Sequence, residues 1–199
     1  MNNYKNTGNA MLVIGVLSLV SSAISLISSN LQGTLLGGSP DLSQIQTLQN
    51  VFLVQGILSA VNVALLVWLV YNSYHLGGEL DVGTFKFGAI LLLIGQLYLV
   101  LITLIIYPQL LSIVQQIGSG GELSSEVLFS LLRLMSLMLL GSLLVILGYI
   151  VYGIGVRKVG EILGSDNIKN GGLLIILGFI PLLGPIGFIL AGYSLRGYS

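Results

Sequence analysis

The sequence predicts an all-α polytopic integral membrane protein with about five transmembrane helices. The first observation is composition: 55% of the residues are hydrophobic and only 7% are charged, whereas soluble domains carry about 25% charged residues. The second is five stretches without any charged residue, at 6–40, 42–74, 87–121, 134–156 and 170–195. Each is longer than the roughly 20 residues that cross a hydrocarbon core. Because lipid leaves backbone polar groups no other partner, such stretches are helices.

The charge and cysteine content excludes several classes of protein. The formal net charge is zero, so nothing indicates a nucleic-acid partner or a polybasic lipid-binding patch. The chain has no cysteine, which excludes disulfides, thiolate metal sites and cysteine nucleophiles. The partners we expect are membrane lipids and either other membrane subunits or further copies of the chain.

We place helix 1 at about 9–29. Lys5, the apolar run from Ala10 and the small residues Ser21, Ser22 and Ala23 resemble a secretory signal peptide. We interpret the segment as the first transmembrane helix or a signal anchor.

Helices 2, 3 and 4 are expected within 40–75, 86–117 and 125–158. Helices of that length reach about 50 Å at 1.5 Å per residue, which exceeds the bilayer core by about 20 Å. We therefore predict that helices 2–4 extend beyond the bilayer on the outer side as a small helical head. The alternatives are strong tilt, or a break at Pro108 with helices on the membrane surface.

Helix 5 is expected at about 171–195, where Pro181, Gly184 and Pro185 interrupt the apolar run. We favour one kinked helix that crosses the membrane. The alternative is a re-entrant hairpin, which would return the C-terminus and Arg196 to the inner side.

The basic residues predict the orientation. With five crossings, five of them fall on one side and two on the other: Lys5, Lys86, Arg157, Lys158 and Lys169 against Arg133 and Arg196. The positive-inside rule then places the N-terminus in the cytoplasm of a multi-pass protein.

Similar motifs at the helix starts predict an internal duplication within a single membrane domain, 1–199. Lys86-Phe87-Gly88 and Lys169-Asn170-Gly171 both open apolar helices, 83 residues apart. We interpret 40–117 and 125–195 as two copies of one hairpin that enter the membrane in the same sense.

Small residues spaced about seven apart are the predicted helix-packing positions, since lipid offers no hydrophobic drive and close backbone approach matters. They are Gly8, Gly15, Ser18, Ser22, Ser25, Ser29, Gly88, Gly95, Gly141, Gly148, Gly155, Gly171 and Gly178. We expect them to join helices of one subunit. The alternative is that the serines of helix 1 receive a helix from another subunit.

No catalytic, cofactor or metal site is predicted. The acidic residues fall in loops or at helix ends, whereas transporters and pumps place ionisable groups at membrane depth. Arg133 is expected to reach the headgroups. His75 is the only histidine and has no second ligand at a suitable spacing.

Two amides, Asn62 and Gln96, are expected near mid-membrane. We predict a hydrogen bond between them that joins helices 2 and 3. The alternative is a polar lining for the path of a small solute.

Three segments resemble an archaeal membrane protein family known as domain of unknown function 973. They are the repeated Lys-x-Gly entry, Gly153-Ile154-Gly155-Val156-Arg157, and Ile180-Pro181-Leu182-Leu183-Gly184-Pro185-Ile186. The resemblance implies an archaeal source and a plasma-membrane location, and it implies no known activity or cofactor.

Three hypotheses for function follow. The first is a non-enzymatic subunit of a membrane complex or homo-oligomer. The second is a channel or facilitator for a small neutral or weakly polar solute. The third is a lipid- or quinone-binding membrane protein.

Overall fold

A computed structural model describes residues 2–36, 42–118 and 125–198, with side chains for most of 3–26, 47–105 and 129–198. All regular structure in these ranges is helical, which confirms the all-α prediction. The helices are α1 (Asn2–Leu36), α2 (Leu42–Glu79), α3 (Gly83–Gly118), α4 (Ser125–Ile162), α5 (Asp166–Ile176) and α6 (Leu183–Arg196).

Four of these helices are long and apolar enough to cross a membrane. Their apolar parts are Asn3–Leu26, Leu53–Glu79, Gly83–Ile105 and Leu132–Ile162. The chain is therefore a membrane-inserted protein. α3 passes through Pro108 without a break. α5 and α6 have 11 and 14 residues, about 17 and 21 Å, and neither crosses a bilayer core of about 30 Å.

Residues 171–195 do not form the single kinked helix that we favoured. They form the antiparallel pair α5–α6, in which Gly171 faces Ala191 and Gly178 faces Gly184. The chain turns at 177–182, where Pro181 lacks a backbone N–H donor and Leu182 has a φ of 77°. The re-entrant alternative is the one that the structure shows.

The six helices form a closed ring of antiparallel neighbours. Each packs against the next in sequence, and α6 packs against α1. Gly8 of α1 meets Gly192 of α6, and Gly153 of α4 meets Gly172 of α5. The α5–α6 hairpin is thus a wedge between α1 and α4.

One end of the ring, here called the charged end, gathers the start of α1, the turns 80–82 and 163–165 and the end of α6. Asn3 donates a hydrogen bond to Glu79, and Tyr198 donates one to the Leu163 carbonyl at 3.2 Å. The helix ends place six of the seven basic residues there: Lys5, Lys86, Arg157, Lys158, Lys169 and Arg196. Arg133 lies toward the opposite end, here called the far end.

The buried core occupies only the half of the ring next to the charged end, here called the near half. Burial stops at Gly15 on α1 and at Gly95 on α3, and it starts at Leu66 on α2. On α4 it starts at Gly141, apart from the isolated Leu134. The rest of α1–α4 is the far half, where the side chains described are otherwise half-buried or exposed.

Candidate functional site: the hairpin and the open far half

Glycines of α3 and α4 bring these two helices into backbone contact. A Cβ on Gly88 would overlap the backbone N of Tyr152, and one on Gly155 would overlap the backbone of Phe85. On Gly95 and Gly148 it would lie 2.9 Å from Val145 N and 2.8 Å from Leu92 N. Gly141 faces the side chains of Tyr98 and Leu99. The structure therefore brings five predicted packing glycines into one interface.

The hairpin is held by a second set of glycines. A Cβ on Gly171 would lie 2.8 Å from Ala191 N, and one on Gly178 would lie 2.6 Å from Cδ1 of Tyr149. We had not singled out Gly153 and Gly160 of α4, which approach Ile176 and Lys169 of α5 within 2.7 Å of a Cβ position. Their seven-residue spacing, the same as at Gly141 and Gly148, was the signal available.

On α1 the small residues divide at the tip of the hairpin. A Cβ on Gly8 would lie 2.6 Å from the Gly192 carbonyl oxygen, and one on Gly15 would lie 2.8 Å from the Pro185 carbonyl oxygen. Ser18 and Ser22 are half-buried and Ser25 is exposed. The side chain of Ser29 lies outside the described residues.

An aromatic stack ties the hairpin to the ring. Tyr152 lies between Phe85 and Phe188, with ring centroids 5.0 and 5.6 Å away and interplanar angles of 20° and 19°. Its hydroxyl shares a 3.3 Å hydrogen bond with Ser73 of α2. The stack joins α3, α4 and α6 and contacts α2, and our sequence analysis missed it because its members are far apart in the chain.

Asn62 and Gln96 do not form the hydrogen bond that we predicted. Both are half-buried, and Oδ1 of Asn62 is buried without a partner in the described part of the chain. The hydroxyl of Thr7, which is fully buried, and that of Thr84 are in the same condition. An unpaired buried polar atom costs about 1–3 kcal/mol, so Asn62 weakens the fold where it lies.

Charges at the charged end pair within single helices. Arg157 Nε lies 3.4 Å from Glu161 Oε1 on α4, and Lys169 Nζ lies 2.8 Å from Asp166 Oδ1 on α5. The hydrogen bond from Lys169, and then its charge, lower the pKa of the Asp166 carboxyl. Lys86 Nζ lies 5.6 Å from the centre of the Tyr74 ring. Among the described residues, no three His, Asp or Glu side chains are grouped to bind a metal ion.

A family model described as protein of unknown function (DUF973) matches residues 2–197. The chain belongs to this family. The match confirms the resemblance inferred from the Lys-x-Gly entries and the Pro181–Pro185 segment, and it extends over α1. No curated protein and no solved structure matches the chain.

The DUF973 match covers α5 and α6 together with the four long helices. The hairpin is thus part of the DUF973 domain.

The turns 80–82 and 163–165 of this DUF973 protein share one geometry. Val82 N donates to the Gly77 carbonyl and Ser165 N to the Gly160 carbonyl, both at 2.9 Å. The middle residues, Asp81 and Gly164, have φ values of 53° and 66°. The structural offset is 83 residues at every position of the turn, so Gly160 corresponds to Gly77, one residue before the Gly78 that we had paired with it.

Proposed function

We propose that this DUF973 protein is a non-enzymatic membrane subunit that works within an oligomer or a larger membrane complex. The observation that supports it is the division of the ring into a packed near half and an open far half. In the far half, α2 has no buried side chain among those described between Thr47 and Leu65. A helix surface of this kind is suited to contacts with lipid and with further helices.

The topology we propose is four transmembrane helices and a re-entrant hairpin, with both chain ends in the cytoplasm. Six basic residues at the charged end support this orientation by the positive-inside rule. The plasma membrane is the location we propose. The long helices have 35–38 residues, about 52–57 Å, and we propose that the excess of α2–α4 projects beyond the outer leaflet.

The two hairpins 40–117 and 125–195 are, we propose, copies of one ancestral unit. The shared turn supports this, and so does burial on either side of it. Leu69 and Tyr152, Leu76 and Val159, Phe85 and Ile168, and Leu92 and Ile175 are buried pairs 83 residues apart.

Native mass spectrometry of the full chain, released from lipid nanodiscs or mild detergent, tests the subunit proposal. We expect a homo-oligomer or an assembly with another membrane protein. A monomer that stays monomeric in the membrane and retains no protein partner would contradict it.

The unpaired oxygen of Asn62 favours a second candidate, a facilitator for a small neutral solute. Half-buried polar residues of three helices lie on the inner faces of the far half, namely Ser18, Ser22, Ser59, Asn62 and Gln96. A path lined by uncharged hydroxyl and amide groups passes neutral solutes and repels ions.

Proteoliposome flux of glycerol and urea tests this candidate. Replacement of both Asn62 and Gln96 by leucine should abolish a flux that the unaltered protein supports. Ser142→Leu, which changes an exposed serine of α4, is the control and should leave the flux unchanged. An equal flux through the double variant would reject the facilitator.

A further inference from the structure

The ring has a gap in its far half, between α1 and α4. In the near half, α5 and α6 fill the space between these two helices. Both are short, and the chain turns back at 177–182. Beyond that tip, α1 and α4 continue without a helix between them. They are not among the packed pairs of the described residues.

The two edges of this gap continue interfaces that already exist in the near half. On α1, Gly8 and Gly15 receive α6, and the next position at the same spacing is Ser22. On α4, Gly160 and Gly153 receive α5. Each helix therefore carries a face that holds another helix in the near half and runs on past the tip.

The edges differ in the size of their side chains. Past the tip, the α1 edge presents Ser22 and Ser25, which are small. The α4 edge continues at seven-residue spacing to Leu139 and Leu132, each with 65% of the side chain exposed. Large side chains on one edge and small ones on the other are complementary when two identical gaps meet.

We propose that a second copy of the chain closes the gap, with the α4 edge of each copy packed against the α1 edge of the other. The proposal rests on the proposed function as an oligomeric subunit and specifies its partner and contact. A twofold axis along the membrane normal keeps both copies in the same orientation. It also makes the α1–α4 contact antiparallel, like all six helix pairs of the ring.

The chemistry of the contact suits association within lipid. The α1 edge from 6 to 40 and the α4 edge from 134 to 156 carry no charge, so no ion loses solvation when they meet. The serines allow the leucines to approach the α1 backbone, and close packing of this kind drives helix association in membranes.

Disulfide trapping in native membranes tests the contact, because the chain has no cysteine of its own. Two differently tagged copies are co-expressed, one with Ser25→Cys and one with Leu139→Cys, and oxidised with copper phenanthroline. We expect a disulfide-linked heterodimer. Val67→Cys, at an exposed site on α2, replaces Ser25→Cys in the control and should give no such product. Equal yields in the two experiments would overturn the proposed contact.

A seam-filling variant provides an independent measurement. Ser22→Leu places a large side chain where Leu139 of the other copy should pack, and we expect the dimer dissociation constant in detergent to rise by about tenfold or more. An unchanged thermal unfolding temperature of the monomer would show that the fold is intact. An unchanged dissociation constant would overturn the contact.

Native mass spectrometry separates this inference from the proposed function. A dimer that shows neither the disulfide nor sensitivity to Ser22→Leu would overturn the contact and leave the subunit function standing. An assembly with a different protein, or lipid retained by a single chain at the gap, would overturn the second copy as the occupant. A bare monomer in the membrane would overturn both.

Discussion

At the scale of single residues, the effect of a side chain here depends on which surface the helix presents at that position. Gly88 and Gly56 are both helical glycines. A Cβ on Gly88 would overlap the backbone of α4, whereas one on Gly56 would meet nothing within 4 Å. Glycine is therefore required where helices meet and dispensable where a helix faces lipid.

Substitution of these two glycines by alanine should have opposite effects. Gly88→Ala should destabilise the fold by about 1–3 kcal/mol, because α3 must move away from α4. Gly56→Ala should leave stability unchanged or raise it by up to about 1 kcal/mol, since alanine is the better helix former. Thermal unfolding in detergent, followed by circular dichroism, measures both. Equal effects at the two sites would show that α3 and α4 are not in backbone contact.

Asn62→Leu should stabilise the protein by about 1 kcal/mol or more, because it removes a buried oxygen that has no hydrogen-bond partner. Asn72→Leu is the matched comparison. Asn72 is also buried on α2, but its Nδ2 donates to the Trp68 carbonyl at 2.7 Å. We expect that second change to bring no gain in the unfolding temperature. A fall for Asn62→Leu would mean that its amide is satisfied in the membrane.

At the scale of elements, the hairpin has a sharp beginning and a sharp turn. Ser165 is the N-cap of α5, and its Oγ accepts from Ile168 N at 3.5 Å. Asp166 follows in the first turn, where a carboxylate favours the helix dipole. At the other end, Pro185 lies in the first turn of α6, where its missing N–H costs no helical hydrogen bond. These local signals favour two helices over one.

Cysteine labelling in oriented vesicles tests the re-entrant hairpin. Lys5→Cys at the start of α1 and Gly197→Cys after α6 should react with a membrane-impermeant maleimide from the same side. Ser130→Cys, exposed near the start of α4, should react only from the other side. If Gly197→Cys and Ser130→Cys were labelled together, the last segment would cross the membrane.

The two similar turns should respond to glycine in a predictable way. Asp81 has a left-handed backbone that glycine adopts at no steric cost, so Asp81→Gly should raise the unfolding temperature. Gly164→Val should lower stability by about 1–2 kcal/mol, since a β-branched residue is strained in that conformation. Calorimetry of the purified variants measures both changes. Stability unaffected by Gly164→Val would show that this turn adopts another conformation.

At the scale of the whole molecule, one small cluster holds six helices together. Tyr152 is fully buried between Phe85 and Phe188 and bonds to Ser73. Around it, every helix contributes buried residues in the near half, while the far half has almost none. Stability is therefore concentrated next to the charged end.

Phe188→Ala should cost about 3–5 kcal/mol, because it opens a cavity at the point where the hairpin meets α3 and α4. Phe129→Ala changes a phenylalanine of α4 that is 75% exposed, and it should have little effect. The midpoint of denaturation in mixed micelles with increasing dodecyl sulfate measures both. Equal midpoints for the two variants would place the core elsewhere.

Much of the fold could be predicted from local properties of the chain. The charge-free stretches located α1–α4, because crossing a bilayer requires length and hydrophobicity and little else. The spacing of Gly88 and Gly95 indicated a packing face, since such a face needs only periodic small residues. The stack of Phe85, Tyr152 and Phe188 could not be predicted, because its members meet only after four helices have packed.

The sequence by itself determined that this protein is helical and enters the membrane, since an apolar stretch without charges has no other stable form in lipid. Only the tertiary structure decided the path of residues 171–195. That segment is long enough to cross the bilayer and also suited to turn at Pro181. The choice depends on whether Gly171 and Gly178 find closer partners in α6 than in lipid, and α1 and α4 leave room for that pair only in the near half.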